Sequence, residues 1–490
     1  MFSKSKSILK RGYRFGKLCG ASYPEKIETL PLPDKVVIPL KQGFSVETHC
    51  LVKKGDRVRA GEIIGRDDHT YSTPVHSTVN GIVEYFESFM ENQEPHFGVV
   101  IRRDYDDNRD YIPVPGAGHN DKTREEIGEI LYLSGVTSLG STGIPSFHHT
   151  SDLDIENVEA IVVNGLSTEP FSLPYESLIT GRADDFITGL NILVKLLNPG
   201  KDVHIAFPTG SVILKTLSGR IGEEVHLHGV EPKYPLHCDE IITEITTGRR
   251  VPDGGTPSEV NVVLVTAQDV FHVYDAVVSG KPLIEKIVSI GGTACKQSKL
   301  AKITIGSPIE WLILDNIRED VDNRVLIGGA MKGEPIVSPS HPVERDFSSI
   351  TVLEENRDKE LLYFLKPGLS SLSFSRSYLS SFLPNRKVKP ETNLQGEKRP
   401  CIYCSYCEDA CPRQLVPHLY SRMVNFDLAE DAVKYGMEAC IECGLCTFVC
   451  PSKITLVEDI RKGKKILEKR EIWTHPTGLS RLESEGKITG

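Results

Sequence analysis

The chain lacks any apolar run approaching the ~18–20 residues that a membrane helix needs. Its longest candidates, such as AIVVNGL and VNVVLVTA, are strand-sized. It also lacks a cationic surplus. The net charge is −10 over 490 residues, which speaks against the basic face of a nucleic-acid binder. The N-terminal stretch MFSKSKSILKRGYRFGKL is basic but has no apolar core followed by a small-residue cleavage site, so it is expected as a tail and not a secretory leader. Cysteine is scarce along most of the chain. Cys19, Cys50, Cys238 and Cys295 are scattered, while the other eight of the 12 fall between positions 401 and 450. That crowding excludes a disulfide framework, which spreads cysteines through a short chain, and points to reduced thiolates kept for metal.

What is present is a duplicated run. CIYCSYCEDACP begins at Cys401 and CIECGLCTFVCP begins at Cys440, each with cysteines at intervals of two, two and three residues before a proline. This is the bacterial ferredoxin pattern, in which the fourth cysteine of each run serves the other cluster of a pair. One [4Fe–4S] cluster is expected on Cys401, Cys404, Cys407 and Cys450, and a second on Cys440, Cys443, Cys446 and Cys411. Zinc is the alternative, but four-cysteine zinc sites arise from two C-x2-4-C pairs, not triplets with a fourth cysteine before proline. Between the runs lie about two helices' worth of sequence, and KITLVEDIRKGKKILEK after them carries Ile454, Val457, Ile460, Lys464 and Leu467 as an imperfect amphipathic helix.

The length allows roughly three to four domains. Residues 1–35 are expected as the N-terminal tail. Residues 36–115 show short strands split by Gly and Asp turns; K-G-D-x-V-x-x-G at 54–61 and P-V-x-S-x-V-N-G-I-V at 74–83 resemble barrel-sandwich, lipoyl-like domains. The turn RDDHTYST, where a carrier of that kind holds its lysine, has none, so no swinging arm is expected. Residues 116–254 alternate helical and strand patterns, predicting a Rossmann-like α/β layer with ligand loops at the strand C-termini. Two loops fall there, around Gly140 and Gly143 and around Asn164 and Glu169. Residues 255–345 are expected as a small α+β, β-grasp-like unit. A helical segment and linker at 346–400, a helical two-[4Fe–4S] ferredoxin-like domain at 401–470 and a C-terminal tail at 471–490 complete a multidomain α/β and β chain. Cys238, in YPLHCDE, is the one scattered cysteine beside other polar groups.

Taken in order, these segments resemble one superfamily, which joins the RnfC component of the Rnf electron-transport complex and its counterpart in the sodium-translocating NADH:quinone reductase (Nqr). CIECGLCTFVCPSKITLVEDIR is similar to the Rnf member, whereas residues 351–380, QGEKRP and RLESEG are similar to the quinone-reductase member. The resemblance implies a flavin and NADH site on the two loops, with Gly140, Gly143, Asn164 and Glu169 at the retained positions. It also shows departures. The G-G-A-G-F-P-type loop reads GSTGIP, the acidic loop reads NGLSTEPF with Ser167 for its first acid, and Y-P-x-G-G-E-K reads YPLHCDE. Bulk in place of glycine blocks close backbone approach to a phosphate or ring, so the altered loops argue against bound FMN and direct NADH oxidation.

The expected function is that of a peripheral electron-transfer subunit, relaying electrons between a soluble donor and membrane-embedded partner subunits of a translocating oxidoreductase. Its expected place is the cytoplasmic face of a bacterial inner membrane. A ferredoxin or an NADH-oxidising protein is expected as a further partner, and nucleic acid is not. The alternatives are an FMN-containing NADH-oxidising subunit, or a docking platform whose clusters only stabilise the tail.

Overall fold

The computed structural model describes residues 11–15, 23–42, 48–66, 73–91, 94–105, 109–118, 122–148, 150–151, 153–197, 202–222, 224–346, 348–357, 392 and 398–472. The turn at 67–72, most of the expected linker at 346–400 and the tail from 473 lie outside them.

The apolar runs Ala160–Asn164 and Val262–Thr266 form neighbouring strands of a four-stranded parallel sheet. Such runs suit strands covered on both faces. Asp202–Pro208 and Val225–Val230 extend the sheet on the other side of Ala160–Asn164. The helices Ala183–Leu197 and Ala267–Ser279 cover one face through Phe186, Leu190, Leu193, Val270 and Val273. The helix Asp239–Thr247 covers the other through Ile241 and Ile242. Thr266 and Asp269 form a capping box at the start of Ala267–Ser279, and Gly280, at φ 65°, ends it.

This pairing moves a boundary. Val262–Thr266 and Ala267–Ser279, expected at the start of the small α+β unit, belong to the α/β layer, because the strand pairs in parallel with Ala160–Asn164. The small unit is a six-stranded mixed sheet ordered Ile27–Thr29, Lys299–Thr304, Glu285–Gly291, Ser349–Glu354, Asn323–Ile327 and Glu334–Pro335. It recruits strands from both sides of the span 255–345.

The barrel-sandwich unit folds Val36, Ile38, Val58, Ile64, Val75, Val79, Val83, Val99 and Ile101 into one core between a four-stranded and a three-stranded sheet. The C-terminal unit packs the helix Leu456–Lys469 on Pro417–Asn425 around Tyr420, Val424, Met437, Ile460 and Leu467.

The segment expected as an N-terminal tail is partly built in. Tyr13 and Tyr234 exchange backbone hydrogen bonds of 2.9 and 3.0 Å, Gly12 N–H donates to the Ala410 carbonyl, and Phe15 is buried against Tyr234 and Phe448. Burying that aromatic ring gives the segment a fixed place.

Candidate functional site

The C-terminal unit surrounds two small cavities. Cys401, Cys404, Cys407 and Cys450 line one, with Ile402, Tyr403, His418 and Ile454. Cys411, Cys440, Cys443 and Cys446 line the other, with Leu415, Ile441, Leu445 and Ile460. Each cavity therefore takes three thiols from one run and the fourth from the other. The short helices Tyr406–Ala410 and Leu445–Val449 carry the third thiol of each run and pack against each other, bringing the crossed fourth cysteine into place. Tyr403, Ser405, Glu442 and Gly444 sit at positive φ (54°, 58°, 53° and 74°), so the chain bends tightly round each cavity.

The residues fit iron–sulfur clusters. The walls between the thiols are largely apolar, and burial pushes the Cys440 thiol up to about 11 and the Cys407 thiol up to about 12. Thiolates in such surroundings need compensating metal charge. Among the described residues, no three His, Cys, Asp or Glu side chains converge as a single metal ion requires. Backbone donors to sulfur are in place: Tyr403 N–H reaches Cys401 Sγ at 3.4 Å and Leu415 N–H reaches Cys411 Sγ at 3.4 Å; the His418 ring, through Nδ1, lies 3.8 Å from Cys407 Sγ.

The two cavities face differently. The second abuts the body of the molecule: the Tyr234 hydroxyl donates to the Cys443 carbonyl at 2.6 Å, and Ile441 packs into the core beneath the parallel sheet. A Cβ on Gly444 would meet the Met331 carbonyl at 3.2 Å. The first lies beside Ile402 and Tyr403, which are 65% and 59% exposed.

A larger cavity of about 580 Å³ opens where the parallel strands end, lined by Gly165, Ser167, Thr168, Glu169, Tyr175 and Glu176 after Ala160–Asn164, and by Pro208, Glu231 and Pro232 after the next two strands. This is where an open α/β sheet takes ligands. Arg14 and Tyr23 complete it; neither carries a sequence signal for this role, because they come from the segment expected as a tail.

Of the four loop residues singled out from sequence, only Glu169 lines this cavity. Its carboxyl accepts from Met331 N–H at 2.8 Å and Lys332 N–H at 2.6 Å, and burial raises its pKa. Asn164 latches its own loop, donating to the His237 carbonyl at 2.9 Å and accepting from Leu166 N–H at 3.1 Å. Gly140 and Gly143 pack inward: Gly140 has φ 76°, and a Cβ there would meet the Leu264 carbonyl at 2.5 Å. Cys238 is buried at the start of Asp239–Thr247, where burial pushes its thiol up to about 12, so it stays protonated. His148 stacks on Tyr132 at a ring distance of 4.1 Å, away from either site.

The large cavity has the volume for a flavin but not the charge. Among the described residues, Glu169, Glu176 and Glu231 line it with Arg14 as the one cation, and Arg14 is paired with Glu231. Among the described residues, a phosphate there would meet three carboxyl groups and one engaged guanidinium, a poor match for the FMN phosphate.

Three segments of the chain match known protein families. Residues 9–106 match the RnfC barrel sandwich hybrid domain, residues 132–275 the Nuo51 FMN-binding domain, and residues 400–455 the 4Fe-4S dicluster domain. The C subunit of the proton-translocating ferredoxin:NAD(+) oxidoreductase complex of Clostridium ljungdahlii is 27% identical over 83% of this chain and 82% of its own length. The C subunit of the ion-translocating oxidoreductase complex of Buchnera aphidicola is 24% identical over 90% of this chain and 85% of its own, and that of Rhodobacter capsulatus is 24% identical over 92% and 81%.

Proposed function

This chain belongs to the RnfC family of Rnf-complex proteins, and from that premise we propose that it is the peripheral electron-transfer subunit of an ion-translocating membrane oxidoreductase, standing between a soluble donor and membrane-embedded partners. No helix of the described residues is long and apolar enough to cross a membrane, so its attachment runs through partner subunits, at the cytoplasmic face in this reading. When bound, two [4Fe–4S] clusters supply single-electron chemistry. We assign one to Cys401, Cys404, Cys407 and Cys450 and the other to Cys411, Cys440, Cys443 and Cys446. The rest of the unit holds these thiols, screens them from water and donates to their sulfurs.

One observation carries the reading: two four-thiol cavities share a helical unit, one set against the α/β body and one beside the exposed Ile402 and Tyr403. The chain is thereby placed to join a site in the body to a partner outside. Cys404→Ser tests it. Loss of one cluster's EPR signal together with complex activity is expected, and unchanged activity would sink the relay.

A second reading is favoured by the match of residues 132–275 to an FMN-binding domain. In it the chain oxidises NADH itself. Flavin extraction from the purified protein decides: one FMN per chain, bleached by NADH, establishes this reading, and its absence leaves the relay alone.

A further inference from the structure

In the barrel-sandwich unit, the strands Gly81–Glu91 and Glu94–Arg103 pair antiparallel from end to end. Their neighbours do not reach as far. Arg57–Val58 pairs only with Gly81 and Ile82, and Lys35–Pro39 ends its register at Gly98. Leu40 N–H adds one bond, to the Phe97 carbonyl. Beyond that point the hairpin is a two-stranded ribbon with no further strand beside it among the described residues.

Register fixes which face each residue takes. Phe86 stands opposite Val99, and Ser88 opposite Phe97. Opposed residues share a face, and so do residues two apart on one strand. Phe86, Phe97 and Val99 therefore lie on one face. Val99 is fully buried in the barrel-sandwich core. The same face continues outward past that core, where Phe86 is 45% exposed and Phe97 60%. The two phenylalanines are diagonal neighbours, close enough to act as one apolar patch. Rings left in water forgo the burial that stabilises them, and a two-stranded ribbon is only marginally stable by itself. A partner covering this face would relieve both.

The ribbon's charge narrows the partner. From Glu84 to Glu94 the sequence carries four glutamates and no lysine or arginine. Glu84, at the base, is held by Lys35 at 2.6 Å and Arg102 at 2.8 Å, and Glu87, Glu91 and Glu94 follow around the turn. A segment of that sign disfavours anionic lipid and complements a cationic surface. On the cytoplasmic side, loops of membrane-embedded proteins carry such an excess of lysine and arginine.

We propose that this ribbon is a docking arm, whose Phe86 and Phe97 face seats against a basic cytoplasmic loop of a membrane-embedded partner subunit. The inference rests on the peripheral-subunit reading above and adds to it the surface of attachment.

The test is co-sedimentation of the full chain, with its clusters in place, with membranes from host cells in which this chain is deleted. Protein-free vesicles of phosphatidylethanolamine and phosphatidylglycerol run in parallel. Saturable binding to the membranes, and none to the vesicles, is expected. The double variant Phe86→Ser, Phe97→Ser should bind about tenfold or more weakly, the scale of losing a central aromatic contact, with melting temperature and cluster absorbance unchanged. The double variant Phe86→Tyr, Phe97→Tyr keeps the rings and should retain binding, which separates lost contact from misfolding. Glu87→Lys should weaken binding at low salt, where charge pairing is least screened. Membrane binding by the serine variant as tight as the parent's, insensitivity to Glu87→Lys, or equal binding of the parent to the vesicles would each overturn the arm and leave the relay reading standing. If the parent bound neither membranes nor vesicles, the arm and the peripheral attachment would fall together.

Discussion

The hydroxyl of Tyr234 donates to the backbone carbonyl of Cys443 across 2.6 Å, joining the α/β layer to the loop of the second thiol cavity. Tyr234 is fully buried, so water cannot replace the bond. Tyr234→Phe should lower stability by about 1 kcal/mol, and more to the extent that the carbonyl stays unsatisfied. The check is iron release to a chelator: the variant should lose iron from the second cavity faster than the parent, with the first little changed.

The proposed crossed ligand sets make a prediction that run-by-run ligation does not. Under the proposed assignment, Cys450→Ser should abolish the cluster assigned to Cys401, Cys404 and Cys407, although Cys450 stands in the second run. Cys411→Ser should abolish the other. Iron content should fall by half in each variant, and EPR should show different surviving signals. If Cys411→Ser and Cys404→Ser removed the same signal, the crossed assignment would be wrong.

Phe15→Ala should destabilise by about 3–5 kcal/mol if the site does not collapse, the range for deleting a buried aromatic ring. Phe15 is 7% exposed and meets Tyr234 and Phe448 edge to face at 5.5 and 5.2 Å. Thermal unfolding measures the loss, and an unshifted melting temperature would mean that residues 11–15 do not pack there.

Gly140→Ala separates a structural glycine from a ligand-contacting one. The added Cβ would meet the Leu264 carbonyl at 2.5 Å, at a φ that alanine adopts poorly. A loss of roughly 1–3 kcal/mol is expected. Cluster EPR should be preserved at temperatures where the variant stays folded.

Two strand histidines predict acid sensitivity. His204 Nδ1 and His228 Nε2 are 2.9 Å apart on neighbouring strands, and burial, reinforced by neighbouring imidazoles, lowers both pKa values to about 4. Unfolded histidine titrates near 6.5, so as pH falls the unfolded chain takes up protons first. Stability from this pair is therefore present above about pH 6.5 and is lost progressively toward pH 4. Melting temperatures across that window should fall, and the double variant His204→Phe, His228→Phe should flatten part of the slope. His76, His237 and His272, each lowered to about 3, would carry the remainder.

The thiol pattern was legible because ligand spacing is local: three cysteines at two-residue intervals fit one turn around a cavity whatever else the chain does. Part of the parallel sheet was legible for a similar reason, since the strand Ala160–Asn164 opens on the apolar run Ala-Ile-Val-Val. The role of the glycine loop was not. Gly140 satisfies a turn and a close backbone approach equally well in sequence, and only the carbonyl of Leu264, over 120 residues away, distinguishes them. Nothing local assigned Val262–Thr266 to the α/β layer over the α+β unit; its partner strand did.

The sequence by itself determined the chemistry this chain can hold, because eight thiols at ferredoxin spacing and the near absence of others leave few alternatives. Tertiary structure decided where that chemistry faces. Tyr13, Phe15, Tyr234 and Gly444 set one cavity against the body. Such arrangements depend on contacts between residues far apart in the chain, which no window of sequence contains.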